Sequence, residues 1–347
     1  MSFILVTGTL AVLSAELDWA THASMRVEPR PESERASWGA LYAAAQAAYP
    51  DWRIGFLTEP VDPWFAAQAY GHTPQGRTRL IDIDPYSAEV RGDRHWLTFQ
   101  RFFRNAHRHL MLPTRIGVPL VSSLAILLVV SMVTGLVVYK KPWRGFFTRP
   151  RFRNLRIASG DLHRLCGVWS LWFIPVIALT SLFYLAESLG WRAPPFGTVA
   201  AARDVPGSLS AAEIDRLADR ARRELPGLDI AVLLPPRRAG EPLIFQGYTD
   251  GTWLVRPRAS YVAFDPADGS VLGSHRSRDA GLHQRISEMA DPLHFGYFGG
   301  LLTKLVWFAF GAVLSALSIT GIMVYGTRIA GRHARHAAVR DAAGVAS

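Results

Sequence analysis

One cysteine, Cys166, in 347 residues leaves no intramolecular disulfide and no multi-cysteine zinc or iron–sulfur site within the monomer. Charge is scarce as well. Charged residues make up 19% against 49% hydrophobic, and mean hydropathy is +0.12, which excludes a disordered chain. No glycine-rich nucleotide motif is visible, so a nicotinamide donor is not expected to bind this chain. Acids are outnumbered, 28 against 38 Lys and Arg, for a formal net charge of +10. Taken alone, that excess suggests nucleic acid or an anionic membrane surface.

What the sequence has instead is long uncharged runs. Residues 117–139, 165–186 and 305–325 carry no charge over 23, 22 and 21 positions. At about 1.5 Å per helical residue each reaches roughly 30 Å, the thickness of a bilayer core. Buried helices of a soluble enzyme are usually shorter and amphipathic. A fourth run, residues 3–15, is only 13 long. It reads as the second half of a spanning helix whose first half lies upstream, or as a signal-peptide core without its basic flank. A start assigned too late is the expectation here.

The positive charge is localised. Residues 140–160 hold seven Lys and Arg and no acid, and residues 327–347 hold Arg328, Arg332, Arg335 and Arg340 against Asp341. These segments supply +7 and +3, the whole excess, and both abut apolar runs. The positive-inside rule puts both in the cytoplasm, so residues 18–110 and 188–297 face the other side, the periplasm in a Gram-negative bacterium. Nucleic acid drops out as a partner, because the extramembrane regions are neutral in sum; membrane lipid stays.

The chain also repeats. A helical stretch over 34–49 is followed by Pro50-Asp51-Trp52 and the alternating run RIGFL; a second over 210–224, capped by Ser208 or Ser210, is followed by Leu225-Pro226-Gly227 and LDIAVLL. Residues 78–90 and 260–271 both read strand, Asp-Pro turn, strand. The apolar runs match too. Val133-Thr134-Gly135 aligns with Ile319-Thr320-Gly321 at an offset of 186, and Val6-Thr7-Gly8 with Leu179-Thr180-Ser181 at 173. The order is helix, small α+β module, helix, twice, in parallel orientation.

Four of eleven histidines lie beside the apolar runs: His107, His109, His163 and His294. His294 precedes Gly321 by 27 residues, and His107 and His109 precede Gly135 by 28 and 26. The repeat mate of His163 would fall eleven residues upstream of Met1. Histidines at matched depth on neighbouring helices suit a haem iron with two axial imidazoles. The plainer alternative is a set of interfacial histidines at headgroup level. His107 and His109 are two apart and point to different faces, so one is a ligand candidate while the other meets a propionate or substrate. Arg108, Arg115, Lys304 and Arg164 are basic candidates for propionates, with interface snorkelling as the alternative for each. Trp143, Trp169, Trp172 and Trp307 read as interfacial aromatics, and Cys166 as a small packing residue.

AHRHLMLP (106–113), VTGLVVYKKPWR (133–144), SGDLHRLCGVW (159–169) and DPLHFGYFGGLLTKLVWFAFG (291–311) together resemble the PepSY-associated transmembrane family, also called iron-regulated membrane proteins. The resemblance covers almost the whole chain. It implies a membrane α-helical bundle of four transmembrane helices, the first truncated at the N-terminus, with two periplasmic α+β PepSY-like modules. The expected segments are helix 1–17, module 18–110, helix 111–139, cytoplasmic loop 140–160, helix 161–187, module 188–297, helix 298–326 and cytoplasmic tail 327–347.

Members of this kind include siderophore reductases of the bacterial inner membrane. The resemblance therefore implies one or two haem b groups, with His163, His294 and one of His107 and His109 as iron ligands. The family's His-Arg-x-Leu pattern falls on His107-Arg108-His109-Leu110, favouring His107. Electrons would come from a quinol or a cytoplasmic reductase and pass to a periplasmic ferric siderophore, releasing Fe(II). The alternative is a non-enzymatic membrane protein that binds a peptide or protein partner or assists siderophore uptake.

Overall fold

The computed structural model describes residues 1–139, 141–197, 199–203, 209–249, 252 and 254–345, with side chains up to 330 and without that of Pro142. Ser208, Lys140 and the side chains of Arg332, Arg335, Arg340 and Asp341 lie outside this description. The chain forms two compact units: Met1–Val12, Phe103–Leu189 and Leu305–Ser347 in one, Leu13–Phe102 and Gly190–Lys304 in the other.

The first unit is helical. It holds α1 (Ser2–Val12), α5 (Thr114–Val138), α6 (Leu155–Trp169), α7 (Phe173–Ser188) and most of α10 (Gly300–Val345). Among the described residues two helices are long and apolar enough to cross a bilayer without a break, Thr114–Val138 and Tyr297–Ala330. The number rises to four if Ser2–Val12 with Ser14–Thr21, and Leu155–Trp169 with Phe173–Ser188, each count as one span. Against the expected four transmembrane helices, the first of them truncated, the described residues thus give two continuous candidate spans and two bent helix pairs.

The break between α6 and α7, a 71° bend, has a chemical cause. Pro175 has no N–H, and in a continuous helix its ring would strike the Leu171 carbonyl. Starting α7 at Phe173 puts Pro175 in the first turn, where no intrahelical donor is needed.

α5 packs on α7 and buries Gly117, Val121, Ser122, Ala125 and Leu128. Its other face exposes Leu120, Leu127, Val130 and Val137, each at 50% or more. An apolar face of that length suits hydrocarbon rather than water. Trp172, 44% exposed, and Trp307 pack on each other. Trp172 meets Trp307 at 5.9 Å and Phe310 at 4.6 Å between centroids, and Trp307 is 8% exposed.

The second unit is built on an eight-stranded antiparallel sheet in the order β4-β3-β2-β1-β5-β6-β7-β8. The first meander is β1 (Arg53–Thr58), β2 (Ala67–His72), β3 (Thr78–Ile83) and β4 (Val90–His95). The second is β5 (Leu228–Leu234), β6 (Leu243–Thr249), β7 (Ser260–Phe264) and β8 (Val271–His275). Each meander carries one helix, α3 (Trp38–Ala48) and α8 (Ala211–Glu224). α2 (Ser14–Thr21) and α9 (Leu282–Phe295) complete the unit, and α4 (Phe99–His109) begins there.

The two expected modules are halves of one sheet rather than separate bodies. β1 pairs with β5 at Leu57↔Leu233 and Thr58↔Val232, and the Glu59 N–H donates to the Ala231 carbonyl at 2.9 Å. Each first strand would otherwise leave an edge of unpaired N–H and C=O groups. α3 and α8 lie over a single core in which Leu41, Ile54 and Ile83 join Ile214, Leu233 and Phe264. Ser37 caps α3, and Ser210 caps α8 in a capping box with Glu213. α3 therefore starts four residues later than the sequence pattern suggests, behind a Ser that satisfies its first-turn donors.

Candidate functional site

α4 carries His107, Arg108 and His109 in its last turn. Its N-terminus is held by Asp18, which is 2% exposed and accepts from the main-chain N–H of Phe99 at 2.8 Å and of Gln100 at 3.1 Å. A carboxylate there satisfies orphan donors and opposes the helix dipole. At the other end Leu110 and Met111 take positive φ, 55° and 59°, at about 1–2 kcal/mol each. That turn stops α4 and lets the chain enter α5 after Pro113.

Successive side chains on this last turn diverge by about 100°. Arg108 is exposed. His109 stands by α5, with its carbonyl and Cβ where a side chain on Gly117 would go. Its Nδ1 is buried and has no hydrogen-bond partner.

His107 turns to α1. Its Nδ1 lies 2.8 Å from the Ile4 carbonyl oxygen. A carbonyl only accepts, so Nδ1 carries the hydrogen, and in the neutral ring Nε2 then keeps the lone pair. The ring lies on Gly8: a Cβ there would be 2.6 Å from the imidazole Cε1 and 2.7 Å from Nδ1.

His163, on α6, is seated the same way on α10. Its Nδ1 is 3.0 Å from the Leu317 carbonyl oxygen and 3.3 Å from the Thr320 hydroxyl. The ring faces Gly321, where a Cβ would be 3.3 Å from Cε1. In both cases the accepting carbonyl is four residues before the glycine. The threonine before each glycine bonds back along its helix, Thr7 to Phe3 and Ile4 and Thr320 to Ala316 and Leu317. Thr134 and Thr180 bond back in the same pattern. Space above Gly135 is open to 4 Å.

His294 is in the sheet unit, in the last turn of α9, which Gly296 ends with φ 72°. Its ring stands edge-on to Phe295 at 5.3 Å. Lys304 departs from the propionate role. It is 5% exposed, and its Nζ pairs with Glu16 at 2.7 Å and Asp62 at 3.6 Å. A buried ammonium between two carboxylates is spent on their charge. Arg164 pairs with Asp161, which also accepts from Arg151. Among the described residues no three His, Cys, Asp or Glu side chains converge as a metal cage.

A second feature was not foreseen. Where the halves of the sheet meet, a cleft of about 360 Å³ opens between α3, α8, β1 and β5. Glu32, Glu59, Asp215, Asp219 and Asp229 line it against Arg35 and Arg222. Burial and the neighbouring Asp229 raise the Glu59 carboxyl to about 7, with Arg35 opposing. Burial and Glu32 raise Asp229. Burial, then the charges of Glu59 and Asp229, push the Tyr248 phenol up to about 12.

The glycine seats were also missed as such. The Thr-Gly pairs were visible as matching positions of the repeat, but their partners, 99 residues from Gly8 and 158 from Gly321, are set only by packing. A Pseudomonas aeruginosa protein described as uncharacterized is 26% identical over 216 residues, 56% of this chain and 53% of that protein. The chain thus spans about half the length of the curated relative it matches. The pattern of the PepSY-associated TM region matches residues 1–328. The chain therefore belongs to the PepSY-associated TM region family of membrane proteins.

Proposed function

We propose that this protein is a haem b-containing electron-transfer protein of a bacterial inner membrane. In this reading it reduces a periplasmic ferric siderophore and releases Fe(II), with both basic segments in the cytoplasm. One observation carries it. His107 and His163 each donate Nδ1–H to a main-chain carbonyl of a neighbouring apolar helix. In the neutral ring that arrangement leaves the Nε2 lone pair in a fixed direction, the form in which histidine ligates iron.

The donor set fits a b-type haem. The imidazoles of His107 and His163 are each held through Nδ1 on a helix carbonyl, and the buried Nδ1 of His109 still needs a polar partner, which a propionate would supply. Haem contributes one-electron transfer when bound. The chain binds it, orients the ligands and keeps water from the apolar helices. His107 rather than His109 is the proposed ligand of that pair, because its ring is fixed by a second helix. Lys304 is withdrawn from the propionate role, leaving Arg108 and Arg115, both exposed. His294 keeps its candidacy from the repeat and the resemblance. The donor, a quinol or a cytoplasmic reductase, is proposed on the resemblance alone.

The test is the absorption spectrum of the protein purified from membranes, oxidised and reduced. Haem bands that are lost in part in His107→Ala and in His163→Ala, and kept in His109→Ala, are expected. A colourless wild-type protein refutes the proposal.

A second reading, binding of a peptide or protein partner by the paired modules, draws on the charged cleft. Its volume falls in the range of ligand pockets, about 300–1,000 Å³. That reading expects a colourless protein and a partner whose retention is lost in Glu59→Gln and Asp229→Asn.

A further inference from the structure

We propose that the Thr7-Gly8 and Thr320-Gly321 pairs are imidazole seats, which fix the tautomer and direction of His107 and His163 and are positioning residues for whatever those histidines bind. The consequence for haem rests on the reading above; the seats themselves do not.

Two histidines on different helices meet the same five-residue pattern on two other helices. The pattern is a carbonyl at position n, a threonine at n+3 and a glycine at n+4. Ile4, Thr7 and Gly8 form one copy, and Leu317, Thr320 and Gly321 the other. In each copy the threonine hydroxyl bonds back to the carbonyl at n, at 3.1 Å. The imidazole Nδ1 reaches the same oxygen at 2.8 Å for His107 and 3.0 Å for His163. A Cβ at n+4 would press on the ring in both copies, below 3.0 Å at Gly8 and at 3.3 Å at Gly321, so glycine leaves the ring its place on the carbonyl. Because the acceptor is a carbonyl, the neutral ring can take just one tautomer.

The seats differ in tightness. A Cβ on Gly8 would approach three ring atoms, at 2.6, 2.7 and 3.2 Å, whereas on Gly321 it would approach two, at 3.3 and 3.6 Å. Alanine at 8 must drive the ring off its carbonyl. Alanine at 321 asks for a few tenths of an ångström, and valine is needed to evict His163.

The experiment is a double-mutant cycle on the full chain in nanodiscs, read by thermal melting. Gly8→Ala is expected to lower the midpoint in the wild-type background and to have no further effect in His107→Ala, where no ring remains to be displaced. Equal losses in both backgrounds overturn the seat, because the glycine then acts through helix packing alone.

A second readout follows the ring itself. With ¹⁵N-labelled histidine, the resonance that disappears in His107→Ala should carry its hydrogen on Nδ1 and lose that signature in Gly8→Ala. The His163 resonance should keep it in Gly8→Ala and Gly321→Ala and lose it in Gly321→Val. A His107 ring protonated on Nε2, or unmoved by Gly8→Ala, overturns the inference. If the protein carries haem, Gly8→Ala should shift or remove the same share of the low-spin ferric spectrum as His107→Ala. A spectrum unchanged in Gly8→Ala overturns the positioning role. A colourless protein refutes the haem reading and leaves the cycle and the labelled-histidine spectra to decide the seats.

Discussion

The two halves of the sheet share a backbone and differ in what they bury. Register irregularities fall at Ile54/Phe56 and Ile230/Val232, and again at Asp82/Ile83 and Ala263/Phe264. Both halves turn on Asp-Pro, with the aspartate Oδ1 accepting from the main-chain N–H two residues on, Tyr86 in one and Ala267 in the other. The side chains between these fixed points diverge. Asp82 and Arg94 in β3 and β4 stand where β7 and β8 have Ala263 and His275. The lesson is that turns and bulges dictate the fold, while the buried polar residues belong to each half alone.

The sharpest test of that difference is to break the pair in the first half. Arg94 bonds both oxygens of Asp82, at 2.6 and 2.9 Å, and Ser24 donates to Oδ2 at 2.7 Å. Asp82 is 0% and Arg94 6% exposed. Arg94→Ala leaves an uncompensated buried carboxylate and should cost about 3–5 kcal/mol. Asp82→Ala with Arg94→His installs the second half's residues and should restore most of the loss. Thermal melting of the full chain, with hydrogen-exchange protection over β3 and β4, measures both. If the double variant is as unstable as Arg94→Ala, the halves are not interchangeable there.

The same contrast explains what could be read from sequence. The charge-free runs, the Asp-Pro turns, the Ser210 cap and the strands RIGFL and LDIAVLL are local signals, and the structure carries each of them. β2 and β6 were not anticipated. β2 turns Ala67, Ala69 and Gly71 inward, residues too small to mark a strand, and β6 blurs its alternation with Ile244 on the outer face and Gly247 and Thr249 on the buried one. The β1–β5 junction joins strands 176 residues apart, and loop closure over that length leaves no local trace. For the candidate site, His107, His163 and the Thr-Gly pairs were each visible, but that one sits on the other is a fact of helix packing. Lys304 read as a free cation because its partners, Glu16 and Asp62, are remote in sequence.

The next effect concerns the junction. Glu59 lies at the end of β1, and its counterpart in the second half is Pro235, which cannot titrate. Burial and Asp229 raise the Glu59 carboxyl from an ordinary 4.5 to about 7. Between those values the folded protein holds a proton that the unfolded chain has released. The contribution of Glu59 is therefore fully present below pH 4.5 and lost as pH rises through 7, by roughly 3 kcal/mol at most. Glu59→Gln should remove this slope. Asp229, also raised, leaves a residual slope of the same sign. His72 and His275, lowered by burial, give the opposite sign, so the difference between wild type and Glu59→Gln across pH 4–8 is what melting must measure. A difference that does not change with pH would make the junction as inert to protons as its proline counterpart.

The smallest effect tests the shared backbone. Ala88 and Gly269 occupy the same place in the two Asp-Pro turns, with φ 59° and 74°. Glycine adopts that conformation freely, whereas alanine pays about 1–2 kcal/mol. Ala88→Gly removes that strain but loosens the unfolded chain by about 0.4–1 kcal/mol. A net gain of roughly 0.5 kcal/mol is expected. Gly269→Ala should lose more than that, because its Cβ would also come within 3.1 Å of Leu217 Cδ2 on α8. Opposite signs in the two melting curves follow if one backbone geometry governs both halves. Equal signs would mean that the turns, for all their matching register, carry different strain.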